Sequence, residues 1–516
     1  MKNFMLTIKD KEQLKDLGIR EEDILWQIEM FDRGTPYVEL IRPCTLGDGI
    51  TEFPYEKAKE WVKWYETHSN HIKKIKFVPA SGAATRMFKA LIRFYNNSDN
   101  VSIIENLAKK DDQDAKDFIF FVDNIEKFAF FDDLKIILKK HGYEVRDLIK
   151  KKEFKVILKY LLTKDGLNYS NMPKALIKFH RYIDRNRTAF EEHLVEATGY
   201  TKYKGLCKLH FTVSSEHKKK FLQFFDQIKE NYEKKYNINY QVDFSLQKRC
   251  TDTIAVDINN KPFRLSDGSL LFRPGGHGAL IYNLNNIEDE LIFIKNIDNV
   301  VPDRLKEKIY FWTKALAGYL LWLKDKINSF IQSLRYSNIN KEIMIEISKF
   351  CKKYLYIDIP KDLDLIRKKE YIMTILDRPI RVCGMVPNIR EPGGGPFWVK
   401  DAQGNISMQI VENAQVDMSS QEQRKIFNSS THFNPVHIVC WTRDWQGKKF
   451  DLIHYVDKNA VFITLKSKDG KDIKALELPG LWNGGMAYWN SIFVEVPAIT
   501  FNPVKKVTDL LKENHQ

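Results

Sequence analysis

Residues 81–86 (SGAATR) combine small side chains with one arginine, shortly after an apolar stretch that contains Phe77 and Val78. The apolar stretch suits a buried strand, and the apolar residues after Arg86 repeat at helical spacing. A strand that enters a helix through such a turn directs backbone N–H groups and the helix N-terminus at one point, which favours phosphate. The segment is therefore either a phosphate-binding loop with Arg86 as its fixed charge or an ordinary tight turn.

Further candidate residues follow predicted strands later in the chain. Between residues 205 and 300 strands and helices alternate, which predicts an α/β sheet with crossover helices. Ligands of such sheets bind beyond the carboxyl ends of the strands. Gln247, the glycine turn at 275–278 and Asp298 each follow a predicted strand, so we expect them to share a crevice with residues 81–86.

This combination of residues suits phosphoryl or nucleotidyl transfer. Attack on a phosphorus atom requires neutralisation of its equatorial oxygens and an in-line arrangement of the attacking and leaving groups. Arginine and lysine neutralise that charge, and a carboxylate-held Mg²⁺ ion orients the phosphates. We therefore expect Mg²⁺ as a cofactor.

The chain has 516 residues, 43% of them hydrophobic, and a formal net charge of +14. This length predicts one large mixed domain with insertions, or two to three domains. The positive charge fits polyphosphate substrates, nucleic acid or an anionic surface. Because the basic residues are dispersed and no nucleic-acid motif is recognisable, no nucleic-acid partner is expected.

Cysteine usage and hydropathy indicate a soluble cytoplasmic protein. The six cysteines form no CxxC pair, so reduced thiols are expected rather than a zinc site or disulfides. Charged residues interrupt the N-terminus too early for a signal peptide, and the apolar run at residues 315–323 is too short to cross a bilayer. No membrane partner is expected, and the oligomeric state stays open.

Several motifs follow one another in the order typical of a known family. Residues 81–87 (SGAATRM) resemble the first loop, GGxGTRL, of nucleotide-sugar pyrophosphorylases, and Pro173-Lys174 resembles the Pro-Lys that follows it. Residues 244–247 (FSLQ) resemble the glutamine segment that touches uracil, residues 273–278 (RPGGHG) the base-binding turn, and residues 295–299 (KNIDN) the metal segment. The chain thus resembles the GT-A-like nucleotidyltransferase superfamily, especially its UDP-sugar branch.

Weaker matches extend the resemblance to residue 505. They are residues 409–412 (QIVE), 430–434 (STHFN), 474–477 (KALE) and 501–505 (FNPVK). The whole chain also resembles a bacterial family of unknown function and similar length that is grouped with this superfamily. The resemblance implies an α/β fold: a Rossmann-like mixed sheet of GT-A type with large helical insertions and a helical N-terminal segment.

The domain organisation expected from these patterns has five parts. They are a helical N-terminal extension (1–70), a nucleotide-binding core (71–96 and 171–302), two helical insertions (97–170 and 303–370), and the sugar side of the catalytic domain with the C-terminal segment (371–516). A glycine-rich loop at residues 391–396 is expected to be either a lid or a turn.

The resemblance implies a role for each matched residue. Arg86 would neutralise the α- and β-phosphates, Lys174 would bind the α-phosphate or the sugar phosphate, and Asp298 would hold Mg²⁺. The sugar-side contacts implied are Lys505, which would bind the sugar phosphate, and His432 and Asn434. The nucleotide-binding residues implied are Ser81, Gly82, Ala83, Thr85, Gln247, Gly275, Gly276, His277 and Gly278.

The reaction implied joins a nucleoside triphosphate to a sugar 1-phosphate and releases pyrophosphate, with UTP favoured by Gln247 and the turn at 275–278. A second interpretation is a glycosyltransferase of the same fold that uses a nucleotide-sugar donor. Such enzymes normally carry a DxD metal motif, of which Asp298-Asn299 is only a part. A third interpretation is a non-catalytic nucleotide-sugar-binding protein, since Ala83 and Ala84 stand where the family has glycine.

Overall fold

The computed structural model describes residues 5–97, 101–336, 341–388 and 393–516. The helices are α1 (Ile8–Leu17), α2 (Glu21–Arg33), α3 (Tyr55–His68), α4 (Lys89–Asn97), α5 (Val101–Lys109), α6 (Gln113–Asp123), α7 (Phe131–Lys140), α8 (Val145–Lys150), α9 (Phe154–Leu162), α10 (Ala189–Thr198), α11 (Lys218–Tyr236), α12 (Leu280–Leu284), α13 (Asp303–Tyr336), α14 (Lys341–Phe350), α15 (Leu365–Leu376) and α16 (Gln421–Asn428).

The strands are β1 (Glu39–Pro43), β2 (Thr45–Leu46), β3 (Gly49–Thr51), β4 (Lys74–Pro79), β5 (Lys178–His180), β6 (Arg187–Thr188), β7 (Leu206–Val213), β8 (Asn239–Leu246), β9 (Thr253–Asp257), β10 (Phe272–Arg273), β11 (Leu291–Ile294), β12 (Ile380–Met385), β13 (Gly395–Lys400), β14 (Ile406–Val411), β15 (His437–Trp441), β16 (Phe462–Lys468), β17 (Lys471–Glu477) and β18 (Asn490–Glu495). Of the predicted loop at 391–396, residues 391 and 392 lie outside the described residues, and the last two residues begin β13.

Two compact units alternate along the sequence. Unit 1 consists of Met1–Ile75, Ser245–Ile294 and Trp312–Ala498, and unit 2 consists of Lys76–Phe244, Lys295–Phe311 and Ile499–Gln516. Both units are assembled from segments that are distant in sequence. The five functional segments expected from the sequence stay a prediction.

Unit 2 is organised around β4, which is parallel to β7 with Lys76 opposite Leu209 and Pro79 opposite Thr212. The helices α5–α9 fall in the stretch expected to be a helical insertion, and α6 shows why they form. The Asp112 side chain caps α6 by accepting from the Ala115 backbone N–H, and buried residues recur at three- and four-residue spacing. Side chains of these helices belong to the same hydrophobic core as β4 and β7.

Unit 1 contains strands of a mixed sheet in the order β2-β3-β18-β12-β15-β11. At its centre β12 is parallel to β18 and antiparallel to β15, and every residue of β12 and β15 is buried. Strands covered on both faces are rich in apolar residues, and Arg381 and His437 are the exceptions in these two strands. The prediction of a mixed α/β fold with many helices is confirmed.

The N-terminal segment contains α1–α3 as expected, and also the strands β1–β3, which were not predicted. β1 forms because β13, more than 350 positions later, supplies an antiparallel partner. The helices α1 and α2 pack through Leu14 and Ile24 on the sheet of order β10-β9-β17-β16. Across the described part of the chain, no helix combines the length and apolar character needed to cross a membrane.

Candidate functional site

The small-residue loop predicted at residues 81–86 lies in unit 2, directly after β4. The Ala80 N–H donates to the Thr212 carbonyl of the neighbouring strand (2.9 Å), and a 3₁₀ turn at Ala84–Arg86 leads into α4. The Ala84 N–H donates to the Met172 carbonyl (3.0 Å), and the Thr85 hydroxyl donates to the Ser170 carbonyl (3.2 Å). The segment at 170–174 therefore fixes the shape of this loop.

Gly82 is exposed, and neither packing nor backbone conformation explains why a glycine is there. A Cβ atom built on Gly82 meets nothing within 4 Å, and its φ angle lies outside the left-handed region. Ala83 is also exposed, with an extended backbone (φ −73°, ψ 153°) that any residue adopts. The Ala84 methyl group points into the core of unit 2. The loop thus presents bare backbone to open space at Gly82, as a phosphate loop requires.

Lys174 and Asp298 join this loop within unit 2. The Lys174 N–H donates to the Gly82 carbonyl (3.2 Å), and Ala83 pairs with Pro173 in an isolated antiparallel bridge. The Lys174 ammonium donates to Asp298 Oδ2 at 2.6 Å, with the two side chains only 14% and 21% exposed. A cation and a carboxylate predicted from separate motifs therefore meet beside the small-residue loop.

The C-terminal segment of unit 2 holds the residue that follows Asp298. The Asn299 amide donates to the Thr500 carbonyl (3.1 Å) and accepts from the Asn502 N–H (2.8 Å). The same segment contacts the end of the 3₁₀ turn that follows the loop, since the Val507 N–H donates to the Met87 carbonyl (3.0 Å). Lys505 is exposed on this segment, and its backbone N–H donates to Asp509.

Arg86 is exposed at the end of the 3₁₀ turn. Within the described residues its guanidinium makes no ion pair or hydrogen bond, so its five N–H donors stay available. A guanidinium matches the geometry of phosphate oxygens with two parallel hydrogen bonds. The loop, Lys174 and Asp298 meet in unit 2, and Arg86 lies at the end of the turn that follows the loop. These donors are of the types that suit phosphate.

The glycine turn predicted to bind the base lies in unit 1, and close packing explains most of its glycines. A Cβ atom on Gly275 would lie 2.5 Å from the Thr251 carbonyl oxygen, and one on Gly278 would lie 2.5 Å from Leu478 Cβ. Gly276 has a φ of +56° and open space around its Cα. This turn therefore has a structural requirement for glycine that Gly82 lacks.

The predicted ligand residues of unit 1 include buried polar atoms that lack a hydrogen-bond partner within the described ranges. His277 stacks on Phe462 with ring centroids 6.3 Å apart, and its Nε2 atom is buried without a hydrogen-bond partner among the described residues. The buried Asn434 Oδ1 is also unpartnered within that part of the chain. Gln247 follows β8 and is half-buried.

His432 is buried, and both of its ring nitrogens are engaged. Nε2 donates to Glu495 Oε2 (2.8 Å), and Nδ1 accepts from the Thr431 hydroxyl (2.9 Å). Contact with a sugar would require one of these bonds to break. The predicted ligand roles of His432, Asn434, Gln247 and the turn at 275–278 stay predictions.

Comparison with known proteins identifies the family. The sequence profile described as "Domain of unknown function (DUF4301)" matches residues 7–516. The chain belongs to this family. The expected resemblance of the whole chain to a family of unknown function is thereby confirmed. None of the curated proteins matches this DUF4301 chain by sequence.

Solved structures similar to this DUF4301 protein include sugar-nucleotide enzymes. A uridine diphosphate N-acetylglucosamine pyrophosphorylase from Trypanosoma brucei in complex with an inhibitor has 10% identity and a TM-score of 0.45, covering 95% of this chain and 74% of that chain. A mutant UDP-glucose pyrophosphorylase from Leishmania major in complex with UDP-glucose has 13% identity and a TM-score of 0.42, covering 98% and 79%. These similarities assign no residue role to this chain.

The metal-binding capacity of the DUF4301 site is limited to one carboxylate. Among the described residues, no group of three His, Cys, Asp or Glu side chains could enclose a metal ion. Mg²⁺, however, commonly binds through one or two carboxylates together with substrate phosphates. Asp298 fits that arrangement once Lys174 turns from its carboxylate to a phosphate.

A buried charge cluster in unit 2 was not foreseen from the sequence. Glu196 on α10 accepts from Lys76 (3.1 Å), from Lys295 (2.8 and 3.0 Å) and from the Tyr200 hydroxyl (2.8 Å). Both lysines and Glu196 are at most 2% exposed. Burial lowers the pKa of Lys76 to about 7, and burial also lowers the pKa of Lys295.

This cluster connects the two segments that carry the site. Lys76 lies on β4, five residues before the loop, and Lys295 lies three residues before Asp298. The two segments are also joined directly, since the Lys295 N–H donates to the Phe77 carbonyl (3.2 Å). Next to Glu196 on α10, His193 Nε2 donates to the Ile297 carbonyl (3.1 Å), one residue before Asp298. Glu196 therefore joins the two segments that carry the candidate site. In the sequence, the only feature that pointed to this cluster was the presence of a lysine, Lys76 or Lys295, in each of the two predicted strands.

Proposed function

We propose that this chain is a nucleotidyltransferase that joins a nucleoside triphosphate, preferably UTP, to a sugar 1-phosphate and releases pyrophosphate. The observation that carries the proposal is the convergence in unit 2 of bare loop backbone at Gly82, the Lys174 ammonium and the Asp298 carboxylate. Each comes from a separate motif, and together they supply what displacement at a phosphorus atom requires.

In the proposed reaction, an oxygen of the sugar phosphate attacks the α-phosphorus of the triphosphate. The bond from the α-phosphorus to its bridging oxygen breaks, and pyrophosphate leaves with that electron pair. The attacking phosphate is already anionic, so no general base is required. Arg86 would neutralise the α- and β-phosphates, and Lys174 would bind the α-phosphate or the sugar phosphate. Mg²⁺, held by Asp298, would supply further charge neutralisation.

The remaining roles belong to the same proposal. Gln247 would bind the edge of the base, since a site built to pair with one base leaves polar groups unpaired with another. The turn at 275–278 would support the base or the ribose on its backbone. Lys505 would contact the sugar phosphate, and Asn434 and His432 would contact the sugar.

The test is pyrophosphate release from a panel of nucleoside triphosphates and sugar 1-phosphates in the presence of Mg²⁺. Arg86→Ala should lower kcat by about 100- to 1000-fold, the usual effect of removing one donor that stabilises transition-state charge. Arg146→Ala is the matched control, because Arg146 is an exposed arginine of α8 in the same unit and pairs with Glu126. Equal turnover by the Arg86 variant and the wild type would show that Arg86 does not contribute to the reaction.

A second candidate function is nucleotide-sugar binding without catalysis. It is favoured by the Ala84 N–H, which already donates to the Met172 carbonyl and is therefore not directed at a phosphate. Calorimetric titration with a UDP-sugar separates the two functions. Saturable binding without pyrophosphate release from any substrate pair would select the binding protein, and release of a free nucleoside diphosphate would select a glycosyltransferase.

A further inference from the structure

A groove of about 480 Å³ lies in unit 1, apart from every residue of the proposed site. It is formed by the C-terminal ends of α13 and α15, by the short 3₁₀ helix at Leu452–Tyr455, and by Tyr488. Its lining consists of Met373 and the polar residues Arg335, Thr374, Asp377, Arg378, His454, Tyr455 and Tyr488. A volume of several hundred Å³ is typical of sites for small molecules.

Arg378 is the feature of this groove that requires a ligand. Its side chain is half-buried, and its Nε donates to the Thr374 carbonyl at 2.9 Å. It forms no ion pair with any described residue, and burial lowers its pKa. A desolvated guanidinium without a counter-charge costs free energy that a bound anion would recover.

A second arginine is oriented beside it. The Arg335 guanidinium lies over the Trp445 ring, 4.9 Å from the ring centroid, and makes no ion pair in the described part of the chain. Stacking on an aromatic ring restricts a guanidinium while leaving its N–H donors available. The groove therefore presents two unpaired guanidinium groups.

The single carboxylate in the lining is Asp377, whose buried Oδ1 has no hydrogen-bond partner among the described residues. Burial raises the pKa of Asp377, and the charge of Arg335 acts in the opposite direction. Two guanidinium groups against one carboxyl group leave the lining with an excess of positive charge. The lining is thus compatible with one bound phosphate group.

We propose that this groove binds a small phosphate monoester, with the phosphate group held by Arg378 and Arg335. The organic part would lie along Tyr455 and Tyr488, the latter 48% exposed. An ester fits better than free phosphate, because the groove extends well beyond the space that one phosphate group fills. Since the groove shares no residue with the proposed transferase site, its ligand is not a substrate of that site.

The test is calorimetric titration of the full chain with UMP and, separately, with inorganic phosphate. UMP should bind saturably and more tightly than inorganic phosphate, and Arg378→Met should weaken UMP binding at least tenfold. Arg367→Met, on the exposed face of the same helix α15, should bind UMP as the wild type does. Arg335→Met is a second variant at an exposed position, and thermal melting without ligand checks that each variant is folded.

Three results would overturn the proposal. They are no saturable binding of UMP, unchanged UMP binding by both Arg378→Met and Arg335→Met, and equal affinity for UMP and inorganic phosphate. UMP that binds at the proposed transferase site and not in the groove would be recognised by two results. Its binding would persist in Arg378→Met and would be lost in Gly82→Val. Arg378 is not a residue of the proposed transferase site, so failure here and failure of the proposed transferase function are separate results.

Discussion

Glu196→Gln tests whether the buried cluster of unit 2 depends on the carboxylate charge. The substitution keeps the volume of the side chain but leaves Lys76 and Lys295 without a counter-charge in a site at most 2% exposed. Removing one partner of a buried ion pair costs about 3–5 kcal/mol. We expect the free energy of unfolding of unit 2 to fall by that amount at pH 7.

The loss should become smaller as the pH rises. In the variant both lysines are driven further toward their neutral forms in the folded state, while the unfolded chain keeps them protonated up to their ordinary pKa of 10.5. Where the unfolded state binds more protons, stability rises with pH. The stability difference between the wild type and Glu196→Gln should therefore narrow between pH 7 and pH 10.

The unfolding of unit 2 can be measured separately from that of unit 1, because all ten tryptophans lie in unit 1. Urea unfolding followed by tryptophan fluorescence reports on unit 1, and hydrogen exchange of α10 reports on unit 2. Glu196→Gln should accelerate exchange in α10. Glu230→Gln is the control, because Glu230 makes an exposed i,i+4 pair with Lys234 and should leave exchange nearly unchanged. If Glu196→Gln lowers the unfolding free energy of unit 2 by less than about 1 kcal/mol, or by an amount that does not change with pH, the reasoning is refuted.

Two further predictions concern the loop and the buried lysine. Gly82→Val should fold with an unfolding free energy close to that of the wild type, since its side chain enters open space. The same side chain should weaken UTP binding at least tenfold by calorimetry, and unchanged binding would contradict a ligand at that backbone. For Lys76, whose pKa is lowered to about 7, folding stability should rise from pH 7 toward pH 10 by at most about 1.4 kcal/mol per pH unit. The opening free energy from hydrogen exchange of α10, corrected for the intrinsic exchange rate at pH 7.5 and at pH 9.5, should show a smaller rise for Lys76→Met, and an identical rise would place the titration elsewhere.

The local structure around the loop was predictable from sequence, since it depends on periodicity close along the chain. The apolar residues Phe77 and Val78 correspond to β4, and the helical spacing after Arg86 corresponds to α4. The strands β1–β3 were missed because their pairing partners lie in distant segments, such as β13 for β1. Propensity alone does not reveal such partners.

Burial of charge was the least predictable feature. On α10, Glu191, Glu192 and Glu196 are all at most 1% exposed. Glu196 is neutralised by Lys76 and Lys295, Glu192 pairs with Lys306, and Glu191 pairs with Arg185 just before the helix. The sequence predicted the chemical types at the candidate site, but the contact between Lys174 and Asp298 required the folded chain.

The most direct test of the central claim is pyrophosphate release by the wild-type protein with Mg²⁺, UTP and a panel of sugar 1-phosphates. The account predicts release with at least one sugar 1-phosphate, and a loss of about 100- to 1000-fold in kcat for Arg86→Ala. Absence of pyrophosphate with every pair of nucleoside triphosphate and sugar 1-phosphate, from protein shown to be folded, would contradict it.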